Sequence, residues 1–113
     1  MNPTVEQVAD AVETVESGGR WWVVSKSGCI GLMQICPQWS KVPRDQLLIP
    51  EINRQEGIRM IRYWKEKAHG DWWLALAGYR CGWQGLKSRC GHTYARKVMH
   101  LVKKQIKHDK EGT

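Results

Sequence analysis

Eleven of the 113 residues carry a carboxylic side chain, and one of them, Glu16, sits where a carboxyl group acquires unusual chemistry. It falls in the last turn of a predicted helix, just ahead of Ser17-Gly18-Gly19. There it meets the negative end of the helix dipole. If the Trp-rich stretch that follows screens it from water, its charge is disfavoured a second time. Both effects raise a pKa, as a general acid working near neutral pH requires. A solvated glutamate at a frayed helix end fits the same position. The other acids offer no obvious partner: Glu13 is a turn earlier on the same helix, Asp45 is in a loop, and Glu51 and Glu56 are on another helix.

The elements that must position Glu16 are helices. Thr4 with Gln7 reads as a capping box. Behind it Val5, Val8, Ala9, Val12 and Val15 recur at helical spacing and make one apolar stripe. Glycine is the usual residue past a helix C-terminus, which ends this helix near Gly18. Residues 20–31 read as a loop, and a short helical piece is expected over 32–35 before Pro37. Residues 37–48 are turn-rich. Pro50 suits a helix start, and Ile58, Ile61, Trp64 and Ala68 keep a helical period. Asp71 caps a short alanine-rich helix over 72–79. Residues 81–91 are predicted to be a glycine-rich loop, with Thr93 capping a last helix that buries Tyr94, Val98, Leu101, Val102 and Ile106. No strand pattern, repeat or linker appears. The prediction is one mainly helical domain over 1–106, followed by a flexible basic tail over 107–113.

The chain carries a net charge of +7 and seven tryptophans, with no phenylalanine. A basic surface suits a polyanion: nucleic acid, anionic lipid, or a bacterial wall with its acidic peptides and polymers. No nucleic-acid motif is present, and no stretch reaches the roughly 18 apolar residues of a membrane span. The first residues lack the features of a secretion signal. Cys29, Cys36, Cys81 and Cys90 lack the paired spacing of a zinc site. They permit three disulfide pairings, of which Cys81–Cys90 is the easiest to imagine and would stabilise by about 2–3 kcal/mol. Reduced, partly buried thiols are the alternative. His69, His92, His100 and His108 form no ligand spacing.

Four blocks follow Glu16-Ser17 in order: Ser25-Lys26-Ser27-Gly28-Cys29-Ile30-Gly31-Leu32-Met33-Gln34, Pro50-Glu51-Ile52-Asn53, Ala75-Leu76-Ala77-Gly78-Tyr79, and Tyr94-Ala95-Arg96-Lys97-Val98. In this order and spacing they resemble the soluble lytic transglycosylase domain, over roughly residues 5–99. The resemblance implies a lysozyme-like helical fold with a glycan groove. It implies cleavage of the β-1,4 bond between N-acetylmuramic acid and N-acetylglucosamine, with Glu16 as acid and base. Ser25, Met33 and Gln34 would line the groove, Tyr79 would lie close to Glu16 and help orient it, and Asn53 would fix a helix start. Ordinary glycosidases need two carboxyl groups. A transglycosylase needs one, because the substrate's acetamido group and C6 hydroxyl do the rest, and no metal or cofactor enters. Water in place of that hydroxyl would make the site a hydrolysing lysozyme.

Two positions depart from the family pattern. Arg80 stands where asparagine usually follows the tyrosine. A guanidinium close to Glu16 would oppose the acid role; Arg80 either points into the groove toward a lactyl or peptide carboxylate or forms a structural salt bridge. Gly18-Gly19-Arg20 stands where an aromatic and an asparagine are common, which affects local substrate contacts. Tryptophan faces stack on sugar rings. Trp21, Trp22 and Trp83 lie in predicted loops and are the sugar candidates, whereas Trp64, Trp72 and Trp73 fit a core and Trp39 is left open. Lys97, Lys103, Lys104 and Lys107 lie opposite the last apolar stripe, either as a solvated face or as a contact with anionic wall polymers or outer-membrane lipids. The expected partner is the peptidoglycan strand and not nucleic acid, and the expected state is a monomer. The absent signal, small size and basic tail suggest a phage endolysin or virion-borne enzyme, released through a holin or carried in the particle, acting in the periplasm or wall; a trimmed domain of a bacterial periplasmic enzyme would look the same. A binding module without chemistry is the contrasting reading.

Overall fold

The computed structural model describes residues 2–112. Four α-helices dominate: α1 (Val5–Ser17), α2 (Pro50–Lys67), α3 (Trp72–Cys81) and α4 (Arg89–Glu111), with 3₁₀ turns at Pro37–Trp39, Arg44–Leu48 and Trp83–Leu86. Local chemistry explains most of their ends. Thr4 Oγ1 accepts from the Gln7 N–H at 3.0 Å, and Gln7 Oε1 accepts from the Thr4 N–H at 2.8 Å, closing the capping box of α1. Gly18 ends α1 in the left-handed region, where its N–H reaches the Glu13 and Thr14 carbonyls. Pro50 opens α2, and the Asp71 carboxylate accepts from the Leu74 N–H at the head of α3.

The core takes Val8 and Val12 from α1, Ile61 from α2, Leu76 from α3, and Val98 and Val102 from α4; all are essentially closed to solvent. Burying each such side chain favours folding by about 1.5–3 kcal/mol. Arg54 of α2 bridges to Asp10 and Glu13 of α1 at 2.9 and 2.6 Å, tying the two helices at the surface.

The segment between α1 and α2 is anchored through one buried amide. Asn53, fully buried in α2, accepts from the Met33 N–H at 2.9 Å and donates to the Ile30 and Leu47 carbonyls at 2.7 and 2.8 Å. A loop buried this way must have its backbone groups paired, and one side chain supplies three bonds. Gly31 is required here. Its φ is +76°, and a Cβ would sit 2.6 Å from the Asn53 amide nitrogen. Asn53 thus does more than fix a helix start.

Three sequence expectations are revised. Residues 32–35 are turns ending in an extended Ile35, which pairs with Ile30, itself paired with Val24. Positive φ at Gly31 and Gln34 breaks the helical run. The last helix starts a turn before Thr93. Ser88 is its cap, accepting from the Gly91 N–H, and Gly91 packs so closely on Gly85 that a Cβ would collide with the Gly85 carbonyl. Finally, α4 continues past Lys107 to Glu111, so residues 107–111 of the expected tail are helical and exposed, and Thr113 lies outside the described residues. All four cysteines are paired, as Cys29–Cys36 and Cys81–Cys90.

Candidate active site

Glu16 projects from the last turn of α1 into a groove of about 750 Å³ lined by the 34–41 segment, α2, α3 and the 3₁₀ turn after it. It is the only acid among the described lining residues. Tyr94 of α4 donates its hydroxyl to Glu16 Oε2 at 3.1 Å. Burial pushes the Glu16 carboxyl above its ordinary value; the Arg80 guanidinium and the Tyr94 hydroxyl oppose this and are outweighed. Among the described residues Glu16 forms no ion pair. A partly buried, hydrogen-bonded, elevated carboxyl at a groove wall is suited to give and take a proton near neutral pH.

The other acids are occupied or remote. Glu13 is bound to Arg54. Glu56 is buried in α2 and held by four donors: Arg59 Nε at 2.6 Å and Nη2 at 2.9 Å, the Ser40 hydroxyl at 3.0 Å, and the Lys41 N–H at 2.7 Å. Arg59 first, then these other bonds, keep its carboxyl below the ordinary value despite burial. Its work is structural, since it fixes residues 40–41 of the groove wall to α2.

The sequence candidates divide. Gln34, Tyr79, Arg80 and Trp83 line the groove together with Glu16. Gln34 is held in the left-handed region, φ +52°, with its amide nitrogen donating to the Val23 and Gly31 carbonyls at 3.1 Å each. That strained conformation, pinned by two bonds at a groove wall, is the usual mark of a functional position. Tyr79 donates to the Met33 carbonyl at 3.1 Å, and its ring stacks on Tyr94 at 6.5 Å between centroids. The hydroxyl that reaches Glu16 therefore belongs to Tyr94, which sequence reasoning assigned to the core stripe. A tyrosine in an apolar stripe was the available signal, because its buried hydroxyl needs a partner.

Ser25 and Met33 are not among the lining residues. Met33 is fully buried, its side chain laid over Gly57, and it contributes its carbonyl to Tyr79. Ser25 accepts from the Cys29 N–H at 3.1 Å and contacts Ser27, closing its own turn.

The tryptophans are also redistributed. Trp83 and Trp39 are exposed, 57 % and 73 %, and both line the groove. Trp64, expected in the core, is half-buried beneath Trp83 at 4.9 Å between ring centroids and packs over Gly78. Trp21 and Trp22 form an exposed edge-to-face pair at 5.7 Å, outside the groove lining. Trp72 is buried as expected, and Trp73 donates to His92 Nδ1 at 2.8 Å. Among the described residues no cluster of three His, Cys, Asp or Glu is arranged to hold a metal ion.

A groove shaped by tryptophans around one elevated carboxyl suits a polysaccharide. A family model described as the transglycosylase SLT domain matches residues 2–102. The chain belongs to the SLT transglycosylase domain family. Comparison with curated proteins and with solved structures returned no match. The family acts on cell-wall peptidoglycan by lytic transglycosylation, and the mainly helical single domain agrees with its lysozyme-like fold. The SLT match covers every described groove-lining residue and stops within α4. No described helix of this SLT domain is long and apolar enough to cross a membrane.

Proposed function

We propose that this SLT domain cleaves the β-1,4 bond between N-acetylmuramic acid and N-acetylglucosamine, with Glu16 as its single acid and base and a 1,6-anhydro sugar as product. The observation that carries the reading is the lone elevated carboxyl among the groove-lining side chains, with Tyr94 fixed on it. A glycan seated over Trp83 and Trp39 presents its bridging oxygen to protonated Glu16. As the bond breaks, the acetamido group of the same sugar stabilises the cationic ring carbon. Glu16, now a carboxylate, removes the proton from the C6 hydroxyl, and that oxygen closes on the ring carbon. The proton given at the start is recovered at the end, so one carboxyl group suffices. Gln34 and Arg80 line the same groove, which supports a role for both in orienting the sugar.

Water in place of the C6 hydroxyl would give hydrolysis at the same site. Mass spectrometry of the fragments released from purified peptidoglycan separates the two. Ring closure yields fragments that have gained no water, and this is the expected result. Fragments heavier by one water would make the protein a hydrolysing muramidase.

A further inference from the structure

Beside the single acid, the groove is cationic. Lys41, Arg59 and Arg80 line it with Glu16. Arg59 is spent on the buried Glu56, bonded through its Nε and Nη2. Arg80 is different. It stands exposed in the last turn of α3, and among the described residues no carboxylate or carbonyl pairs with it. Lys41 has its backbone N–H fixed by Glu56, while its side chain is exposed and forms no ion pair. Arg80 on α3 and Lys41 on the 34–41 segment therefore line the groove with the acid, and among the described residues neither forms an ion pair.

This arrangement works against the free protein. An unpaired guanidinium near Glu16 favours the carboxylate form and delays protonation. A neutral sugar polymer entering the groove would leave that opposition in place and would also strip water from the guanidinium. A strand carrying a carboxylate would pair with it. The planar fork of an arginine matches a carboxylate with two parallel bonds.

We propose that Arg80, seconded by Lys41, is a specificity residue that docks a free carboxylate of the strand beside the scissile bond, and that this docking readies Glu16 to act as an acid. The proposal rests on the transglycosylase reading above and adds to it a selection of strands by charge. Two carboxylates of a wall strand have this chemistry: the lactyl group of a strand stripped of peptide, and the peptide's own acids on an intact strand.

The test uses the full chain and three substrates: intact uncross-linked strands, amidase-stripped strands, and stripped strands whose lactyl carboxylates have been converted to methylamides. Wild type, Arg80→Gln and Arg80→Lys are assayed for kcat and KM across pH. Wild type should cut the best carboxylate-bearing substrate with kcat/KM about tenfold above the methylamide, the discrimination expected of one charge-assisted hydrogen-bonded pair. Activity on stripped strands assigns the docked group to the lactyl carboxylate; activity confined to intact strands assigns it to the peptide, and either supports the proposal. Arg80→Gln should lose the tenfold preference through KM, and Arg80→Lys should keep part of it. The pH profiles supply a readout that misfolding would not mimic. The basic limb of kcat/KM reports free protein and that of kcat reports the complex. In wild type the kcat limb should lie at higher pH than the kcat/KM limb; in Arg80→Gln the kcat/KM limb should rise and the two converge. Equal rates of wild type on charged and methylamide strands, or unchanged KM and limbs in Arg80→Gln, overturn the inference alone. A folded wild type that cuts none of the three overturns the activity itself.

Discussion

The chemistry proposed for Glu16 depends on three influences, burial and two neighbours, acting in known directions. Burial raises its pKa, while Arg80 and the Tyr94 hydroxyl lower it. Tyr94→Phe removes one of the lowering contacts and also a positional restraint. The basic limb of the rate profile should therefore move to higher pH, while kcat falls about tenfold from the loss of one orienting hydrogen bond. Steady-state assays across pH check both. A limb that moves down, or an unchanged kcat, would mean that Tyr94 does not act on the acid. At this scale the sequence was legible where polar chemistry advertised itself. Glu16 before a glycine stop, Gln34 after Gly31, and Arg80 after Tyr79 could each be placed near the groove from their neighbours. Tyr94 could not, because its ring satisfies the apolar periodicity and hides the hydroxyl that reaches Glu16. Met33 misled in the opposite sense: its block was informative, but the side chain fills the space over Gly57 and only its carbonyl faces the site's tyrosines.

At the scale of elements, the groove walls are short segments held by cross-links rather than by regular structure. Cys29–Cys36 closes the turn that carries Gln34, and Cys81–Cys90 joins the end of α3 to the start of α4 around Trp83. Cys36 and Cys81 themselves line the groove. Each small loop closure should stabilise by about 2–3 kcal/mol. Thermal unfolding in excess dithiothreitol should show a midpoint lowered by about 10 °C or more if both bridges are cut; a midpoint unmoved by reduction would mean the bridges carry no stability. Glu56 is the other fastener. Its depressed pKa means that the folded state binds its proton less readily than the unfolded one. Its stabilising contribution is thus complete above the ordinary carboxyl value of 4.5 and is lost as pH falls below it. Glu56→Ala leaves Arg59 and the Lys41 N–H without this acceptor, while the Ser40 hydroxyl keeps the Val42 carbonyl, and should cost about 2–3 kcal/mol, read by chemical denaturation at pH 7. The variant should also show a smaller loss of stability than wild type as pH falls below 4.5. Helix ends carrying Thr4, Gly18, Pro50 and Asp71 were legible because one residue decides each. The start of α4 was not, since it depends on a close Gly85–Gly91 approach and a disulfide, both non-local.

Across the whole molecule, the clearest separation of charge from apolar surface is on α4. The helix α4 spends its apolar face on the core through Tyr94, Val98 and Val102, while Lys97, Lys103, Lys104 and Lys107 stay exposed. A single helical domain with long intervening loops could be read from periodicity alone, and the SLT match bears out that fold. The shape of the groove could not, because its lining combines the 34–41 segment with α2 and α3, and the loop is fastened to α2 by Asn53 and Glu56 rather than by any local pattern. The activity proposed for the assembled molecule is glycan cleavage by one carboxyl group. Clearing of purified cell wall by wild type and by Glu16→Gln, with wall binding measured on the same samples, tests this most directly. The substitution keeps the size of the side chain, so binding should persist while the clearing rate falls by about 10²-fold or more, the minimum expected when a general acid is removed. Clearing by Glu16→Gln at the wild-type rate would contradict the account.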